Sequence, residues 1–470
     1  MKTTSLFQTL LSSVVLAFGL AALVAPAVQA AEKYVVSGDR WRDTSGNLIN
    51  AHGAGLLKDG NTWYWVGEYK GANNGFQGFS LYSSTDLINW SSHGLIVPPS
   101  SSLPFGVGER PKLIKNPKTG EYVLWFHADS TNYSLAKVGV CYASSVTGPY
   151  TCPANGVFSP LGKESRDMNV YVDPTDNQGY LLFATNGNAD AAIAKMTSDY
   201  KNVTSQVSVI NQRLEGFGVF RDKAGLYNMV VSYQSGWQPN SNTLWTSSNI
   251  GTTAFSYSND ISPTNTNTYN SQNTFEISPN DNLEVYVGDR WWVTDLAQST
   301  YVWYPLVNRN LVHAPLWRPA SSGSGYEVPR NKTIAFSPST TTLSGSQAKY
   351  ASCSACPSGQ IATYVGNGNS VTLHNVATPS GNAGNVWISV YYSNQNAYPS
   401  WRFGSVSVNG GSAKDITYPT GGNPNGPLQD TPVKVSLKAG NNDITFAAPS
   451  SDASAYAADL SHVIVWQSDS

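Results

Sequence analysis

The sequence predicts an all-β protein: a five-bladed β-propeller followed by a β-sandwich (jelly-roll) domain. Three observations carry that expectation. Five polar side chains, His52, Glu109, Asp167, Glu215 and Gln272, recur 48 to 58 residues apart. Each is followed by an aromatic residue that opens an apolar strand, in turn Tyr64, Tyr122, Tyr180, Tyr227 and Trp291. Beyond about residue 325 the pattern changes to strictly alternating short strands. Self-similarity near 50 residues with several strands per repeat is the signature of propeller blades. If the five polar heads start the innermost strands, all of them face one axial cavity.

Taken in order, residues 1–30 read as a secretory signal. Lys2 supplies the positive start, residues 14–24 the apolar centre, and Val28-Gln29-Ala30 the small residues of a cleavage site. No later apolar run approaches the roughly 18 residues of a membrane helix. A secreted, extracellular chain can hold disulfides. Its four cysteines form two local pairs, Cys141 with Cys152 and Cys353 with Cys356. Paired locally, each would staple one loop. The CxxC could also be half of a zinc site, but no second CxxC or His pair follows. Sequons at Asn89, Asn132, Asn202 and Asn331 fit a secreted glycoprotein.

Residues 31–325 hold the five repeats, dense in alternating apolar strands and in Gly, Asn and Ser turns. No amphipathic helix of ordinary length stands out. The segments SSTDLINW (83–90), ASSVTGPY (143–150) and MTSDYKNV (196–203) read as outer blade strands. The run WRPASSGSGYEVPRNK reads as a connector. Residues 326–470 then show the alternation and short turns of a sandwich that could fold alone.

Charged residues make up 12% of the chain, net charge is −2, and there are 14 Trp, 26 Tyr and 15 Phe. With no basic stretch, nucleic acid and anionic membranes are not expected partners. Many rings among few charges suit a polysaccharide partner, because rings stack on the apolar faces of pyranoses. Glu109, Asp167 and Glu215 supply the carboxyls of glycoside chemistry, which needs a protonated acid on the leaving oxygen and a group that activates water. A carboxyl at the mouth of an apolar strand, near other carboxyls, has a raised pKa.

As an ordered set, AHGAGLLKDGNTWYWVGE, ERPKLI, SRDM, LEGFGVF, SGWQPN and YNSQNTF resemble glycoside hydrolase family 43, and within it the exo-β-1,3-galactanase group. The resemblance spans residues 50–305 and implies a five-bladed propeller that releases galactose from β-1,3-galactan, including arabinogalactan protein glycans, with inversion. It implies Glu215 as general acid, with Asp167 orienting it and tuning its pKa. Most of the family carries an Asp base in the first blade; here that place reads AHGAG, and the galactanase group shares the absence. The resemblance puts Gln272 in the base-like role, with simple hydrogen bonding to substrate or water as the alternative. Glu109 would bind sugar or position water. Tyr133, Ser235 and Trp237 would line the sugar subsite, and Glu68 would also reach the sugar. The acid's motif, usually Glu-Ala-Pro, reads Glu215-Gly216-Phe217, which frees φ beside the acid.

The C-terminal segment resembles carbohydrate-binding module family 35 through SCSACPSG, SVTLHNV, FGSVSVNGG, VSLKAGNNDITF and ADLSHVIVW. Trp401 and Tyr392 are its candidate sugar contacts. A structural calcium is usual in such modules, but its acidic ligand motif is degraded here, with FSPSTTTLSG at the start and Ser461 at the end. No metal or other cofactor is expected for the chemistry, and the expected state is a monomer. Two other functions stay open: an arabinofuranosidase or xylosidase of the same family, and a non-catalytic galactan-binding protein.

Overall fold

A computed structural model describes residues 31–100, 105–321 and 323–467; the expected signal at residues 1–30 lies outside them. Among the described residues the chain is almost wholly β, and its one α-helical segment is four residues long, Asn267–Asn270. Residues 52–311 form five consecutive four-stranded antiparallel sheets. Their first strands are His52–Asp59, Val107–Lys115, Met168–Val172, Leu214–Arg221 and Gln272–Asn280. Each sheet runs first to fourth strand in chain order, which alternating apolar segments and tight Gly/Asn turns produce directly.

The sheets close into a ring. Apolar cores lie between sheets one and two, two and three, three and four, and four and five. A further core joins the fifth sheet to the first through Trp41, Trp65, Trp90, Trp303 and Trp317. Trp41, Trp65, Trp90 and Trp303 pack edge-on or tilted, with Trp65 and Trp90 centroids 5.2 Å apart. Val35–Val36 pairs with Leu316–Pro319, so both ends of the ring region meet at this seam. The expected connector is therefore partly strand: Leu316–Pro319 also pairs with Tyr326–Glu327, and Asn331 opens a strand of the C-terminal sheets.

Four of the five aromatic markers lie at or near the start of second strands, but Trp291 follows its strand, Leu283–Arg290. The segments expected as outer strands are instead mostly the turns between third and fourth strands. In the first sheet, for example, the third strand ends at Ser84 and the fourth begins at Ser91.

Beyond Pro329 two antiparallel sheets, of six and five strands, share one apolar core. Both cysteine pairs are disulfides. Ser461, at the degraded calcium motif, is buried and its hydroxyl meets His462 Nδ1 at 2.9 Å. At the other end of that motif, the Ser337 and Thr340 hydroxyls bond each other, and the Thr340 hydroxyl also donates to Ala335 O.

Two expected sugar contacts prove to be interior. Tyr392 is fully buried and donates to Pro419 O at 2.9 Å. Trp401 is 7% exposed and stacks on Trp292 of the ring region, 5.0 Å between centroids and 12° between planes. Aromatic content could not reveal that this ring serves a seam between the two parts. Trp401→Ala should cost about 3–5 kcal/mol through the cavity it leaves, measured as a lower urea-unfolding midpoint.

Candidate active site

Four of the five polar heads meet at the same end of the ring, each at or beside the start of a first strand. Glu109 is the third residue of its strand, Asp167 immediately precedes its strand, Glu215 is second and Gln272 first. Strand starts hold these side chains on a rigid frame. The fifth head, His52, is fully buried beneath them, with Nδ1 3.2 Å from Asp289 Oδ1 and its ring stacked on Tyr301.

Glu215 is the neutral carboxyl of the group. Burial, and then the charge of Asp167, push it up to about 8, against the opposing charge of Arg110 and hydrogen bonds from the Ser235 backbone and Gln272. Gln272 Nε2 donates to Glu215 Oε1 at 2.8 Å and to Ser232 Oγ at 3.0 Å. Its Oε1 accepts from Arg110 Nη2 at 2.7 Å and from Trp291 Nε1 at 2.8 Å. Arginine and tryptophan can only donate, so the amide's orientation is determined. An imidic form would aim an O–H at two N–H donors. The arrangement therefore favours orientation of Glu215 over proton transfer by Gln272.

Asp167 is tied on both sides, by Arg110 Nε at 2.8 Å and by the Gly216 N–H at 2.5 Å. The altered Glu-Gly-Phe motif is accommodated here. Gly216 has φ +61, and a Cβ there would stand 2.8 Å from Asn273 O, so this backbone requires glycine. Phe217 is buried in the core between the third and fourth sheets. The freedom left by the missing Pro is taken up by the Asp167 bond and that packing.

Glu109 is the anionic member. Burial raises its carboxyl, but the hydrogen bond from His127 and the charge of Lys70 outweigh it, leaving it at about 2. It accepts from Tyr133 OH at 2.6 Å and faces His127 Nδ1 at 3.2 Å. Against the cost of burial, His127's bonds to Asp129 and Glu109 raise its pKa to about 9, so the imidazolium and Glu109 stabilise each other's charge. Tyr133 is 41% exposed at φ +57 and so presents a ring to solvent above Glu109. Trp237 packs edge-on to Trp291, 4.9 Å between centroids, with the Lys70 ammonium 5.7 Å from its ring.

Two expected contacts sit differently. Glu68 is 2% exposed; it accepts from Arg110 N–H at 2.8 Å and pairs with Lys70 at 2.6 Å. It braces the site from behind. The Ser235 backbone lowers the Glu215 pKa, while the Ser235 hydroxyl donates to Gln238 O at 2.5 Å within its own loop.

The residue that sequence reasoning missed is Arg110. Its guanidinium joins Asp167, Gln272 and, at 3.1 Å, Asn273 O. Its place beside Glu109 in ERPK was the available signal.

No family model matches the chain, and no curated protein matches it. Solved structures do. The exo-β-1,3-galactanase of Phanerochaete chrysosporium, solved with galactose, is 38% identical with a TM-score of 0.84, over 92% of this chain and 100% of that one. The chain belongs to glycoside hydrolase family 43. The same fungal protein was also solved with β-1,3-galactotriose after one glutamate was replaced by glutamine, at 37% identity, TM-score 0.84, over 93% of this chain and all of that one. An exo-β-1,3-galactanase from Clostridium thermocellum is 25% identical with a TM-score of 0.57, over 91% of this chain and 100% of its own. This family 43 member is accordingly a glycoside hydrolase.

Proposed function

We propose that this enzyme is a secreted, inverting exo-β-1,3-galactanase. Glu215 donates its proton to the glycosidic oxygen of the terminal galactose. The C1–O bond breaks, water attacks the opposite face of the ring, and the proton that water gives up leaves to solvent, from which the Glu215 carboxylate is reprotonated. The observation that carries this reading is a buried Glu215, hydrogen-bonded by Gln272 and flanked by Asp167 so that its carboxyl is pushed up to about 8, in a chain 38% identical to an exo-β-1,3-galactanase. The relative's Glu→Gln variant holds β-1,3-galactotriose, which supports a β-1,3-linked galactan as the substrate here. Glu109 remains ionised and, with Tyr133 and Trp237, orients sugar and water. Gln272 orients the acid and contributes to placing water.

The five ring sheets are read as propeller blades, and the C-terminal pair of sheets as a jelly-roll sandwich of family 35 type that holds polymer. Two disulfides fit an oxidising compartment. Glycans, where the host adds them, belong on exposed Asn132, Asn202 and Asn331. Both amide hydrogens of Asn89 are already bonded, to Glu32 O and Asp86 Oδ2.

Incubation with β-1,3-galactan should release free galactose, seen first as the α-anomer by proton NMR. No sugar release, with retention of the protein on the polymer, would instead make it a binding protein. The pH profile is a second check. The acid must carry its proton, so kcat/KM should fall as pH rises through about 8. A fall centred near the ordinary carboxyl range would mean that burial and Asp167 do not hold the acid's pKa up.

A further inference from the structure

Immediately before Gln272 the backbone enters a conformation that L-residues avoid. Asn267, Thr268, Tyr269 and Asn270 have φ of 49, 54, 51 and 59°, one complete left-handed turn, with Asn265 at 67° just upstream. Asparagine tolerates this region, but a β-branched Thr and a bulky Tyr do not adopt it unaided. Such a turn persists only where its surroundings over-determine it.

Half of the restraint comes from the ring region. Asn242 N–H donates to Thr268 Oγ1 at 2.7 Å, and Arg290 donates to Tyr269 O at 3.0 Å and to Asn270 O at 3.2 Å. The other half comes from the C-terminal sheets. Asn270 Nδ2 donates to Thr420 O at 2.9 Å, and Gln429 Nε2 donates to Thr266 O at 3.3 Å. The Tyr269 ring stacks on His313, 4.5 Å between centroids and 11° between planes, and His313 Nε2 meets Asp430 Oδ1 at 2.9 Å. Gln429 and Asp430 open the strand Gln429–Leu437 of the six-stranded sheet and are both buried.

We propose that the C-terminal sheets are a positioning element of the reaction centre: through Thr420, Gln429 and Asp430 they hold the left-handed turn at residues 267–270 and Thr266 just before it, and with them the Gln272 amide against Glu215. This rests on the reading of Glu215 and Gln272 as the reaction centre. A module that only tethers polymer would not matter for a substrate too short to reach it. A module that holds Gln272 matters for every substrate.

The test is the full-length Gln429→Ala/Asp430→Asn variant on β-1,3-galactobiose, beside the parent and Glu215→Gln. Neither substituted residue touches the reacting groups. Displacement of Gln272 should lower kcat about tenfold to a hundredfold, with KM little changed. The alkaline limb should also move to higher pH, because the Gln272 bond lowers the Glu215 pKa. Loss of folded protein alone would lower apparent kcat without moving that limb. Unchanged kcat and limb, with Glu215→Gln inactive, would overturn the positioning role and leave the enzymatic reading standing. A parent that releases no galactose would overturn both. If the double variant does not fold by near-ultraviolet circular dichroism, Asn270→Gly decides by the same two readouts. Glycine adopts positive φ freely, so that substitution removes only the bond to Thr420 O.

Discussion

Glu215→Gln should abolish galactose release while leaving β-1,3-galactotriose bound. The substitution keeps the side chain's shape. Its carbonyl oxygen can still accept from Gln272 Nε2, which stands 2.8 Å from Glu215 Oε1. What is lost is the proton that burial and Asp167 keep on this carboxyl up to about pH 8. General-acid catalysis is worth about 10²–10⁴-fold, so kcat on galactobiose should fall about a thousandfold. Titration calorimetry with galactotriose should give an affinity close to the parent's, because no binding group has been removed. The loss should be smaller for an aryl galactoside with an acidic phenol, whose leaving group departs without protonation. A variant that turns over galactobiose within about tenfold of the parent would remove Glu215 from the acid role.

Much of this site was legible because a four-stranded antiparallel sheet uses a nearly constant length of chain. Repeating that unit five times places equivalent residues at equivalent depths, and polar heads at those positions converge. The repeat is less reliable at the fifth unit. There the second strand opens with Leu283, not an aromatic, and the ring at Trp291 lies just past the strand's end. That ring still belongs to the site, as a donor to Gln272.

His52 shares the spacing but not the site. Its ring turns down against Tyr301, and spacing carries no information about side-chain direction. The burial of Trp401 and Tyr392 was hidden for a related reason. A ring that seals a seam and a ring that meets a sugar are the same residue type in alternating strands. The left-handed turn at 267–270 was also hidden, because Thr and Tyr disfavour it and only tertiary bonds hold it there.

Arg110 shows most clearly what one sequence withholds, and its replacement should have the other large effect. Its side chain is buried, and one planar fork serves three partners: Asp167 Oδ1 through Nε, Gln272 Oε1 through Nη2 and Asn273 O through Nη1. In Arg110→Ala, Asp167 loses its cation and Gln272 loses one of the two donors that fix its amide. Breaking a buried pair on one side costs about 3–5 kcal/mol, so the variant should unfold at lower denaturant. The Arg110 charge also lowers the Glu215 pKa, so the alkaline limb of kcat/KM should move above about 8. Arg110→Lys separates charge from geometry. A lysine ammonium keeps the positive charge but cannot reach all three acceptors from one stem. The limb should stay near its parent position, while kcat falls about a hundredfold because Asp167 and Gln272 are no longer held together. If Lys restored full turnover, charge alone would account for Arg110, and the fork that joins acid, tuner and amide would be incidental to the chemistry.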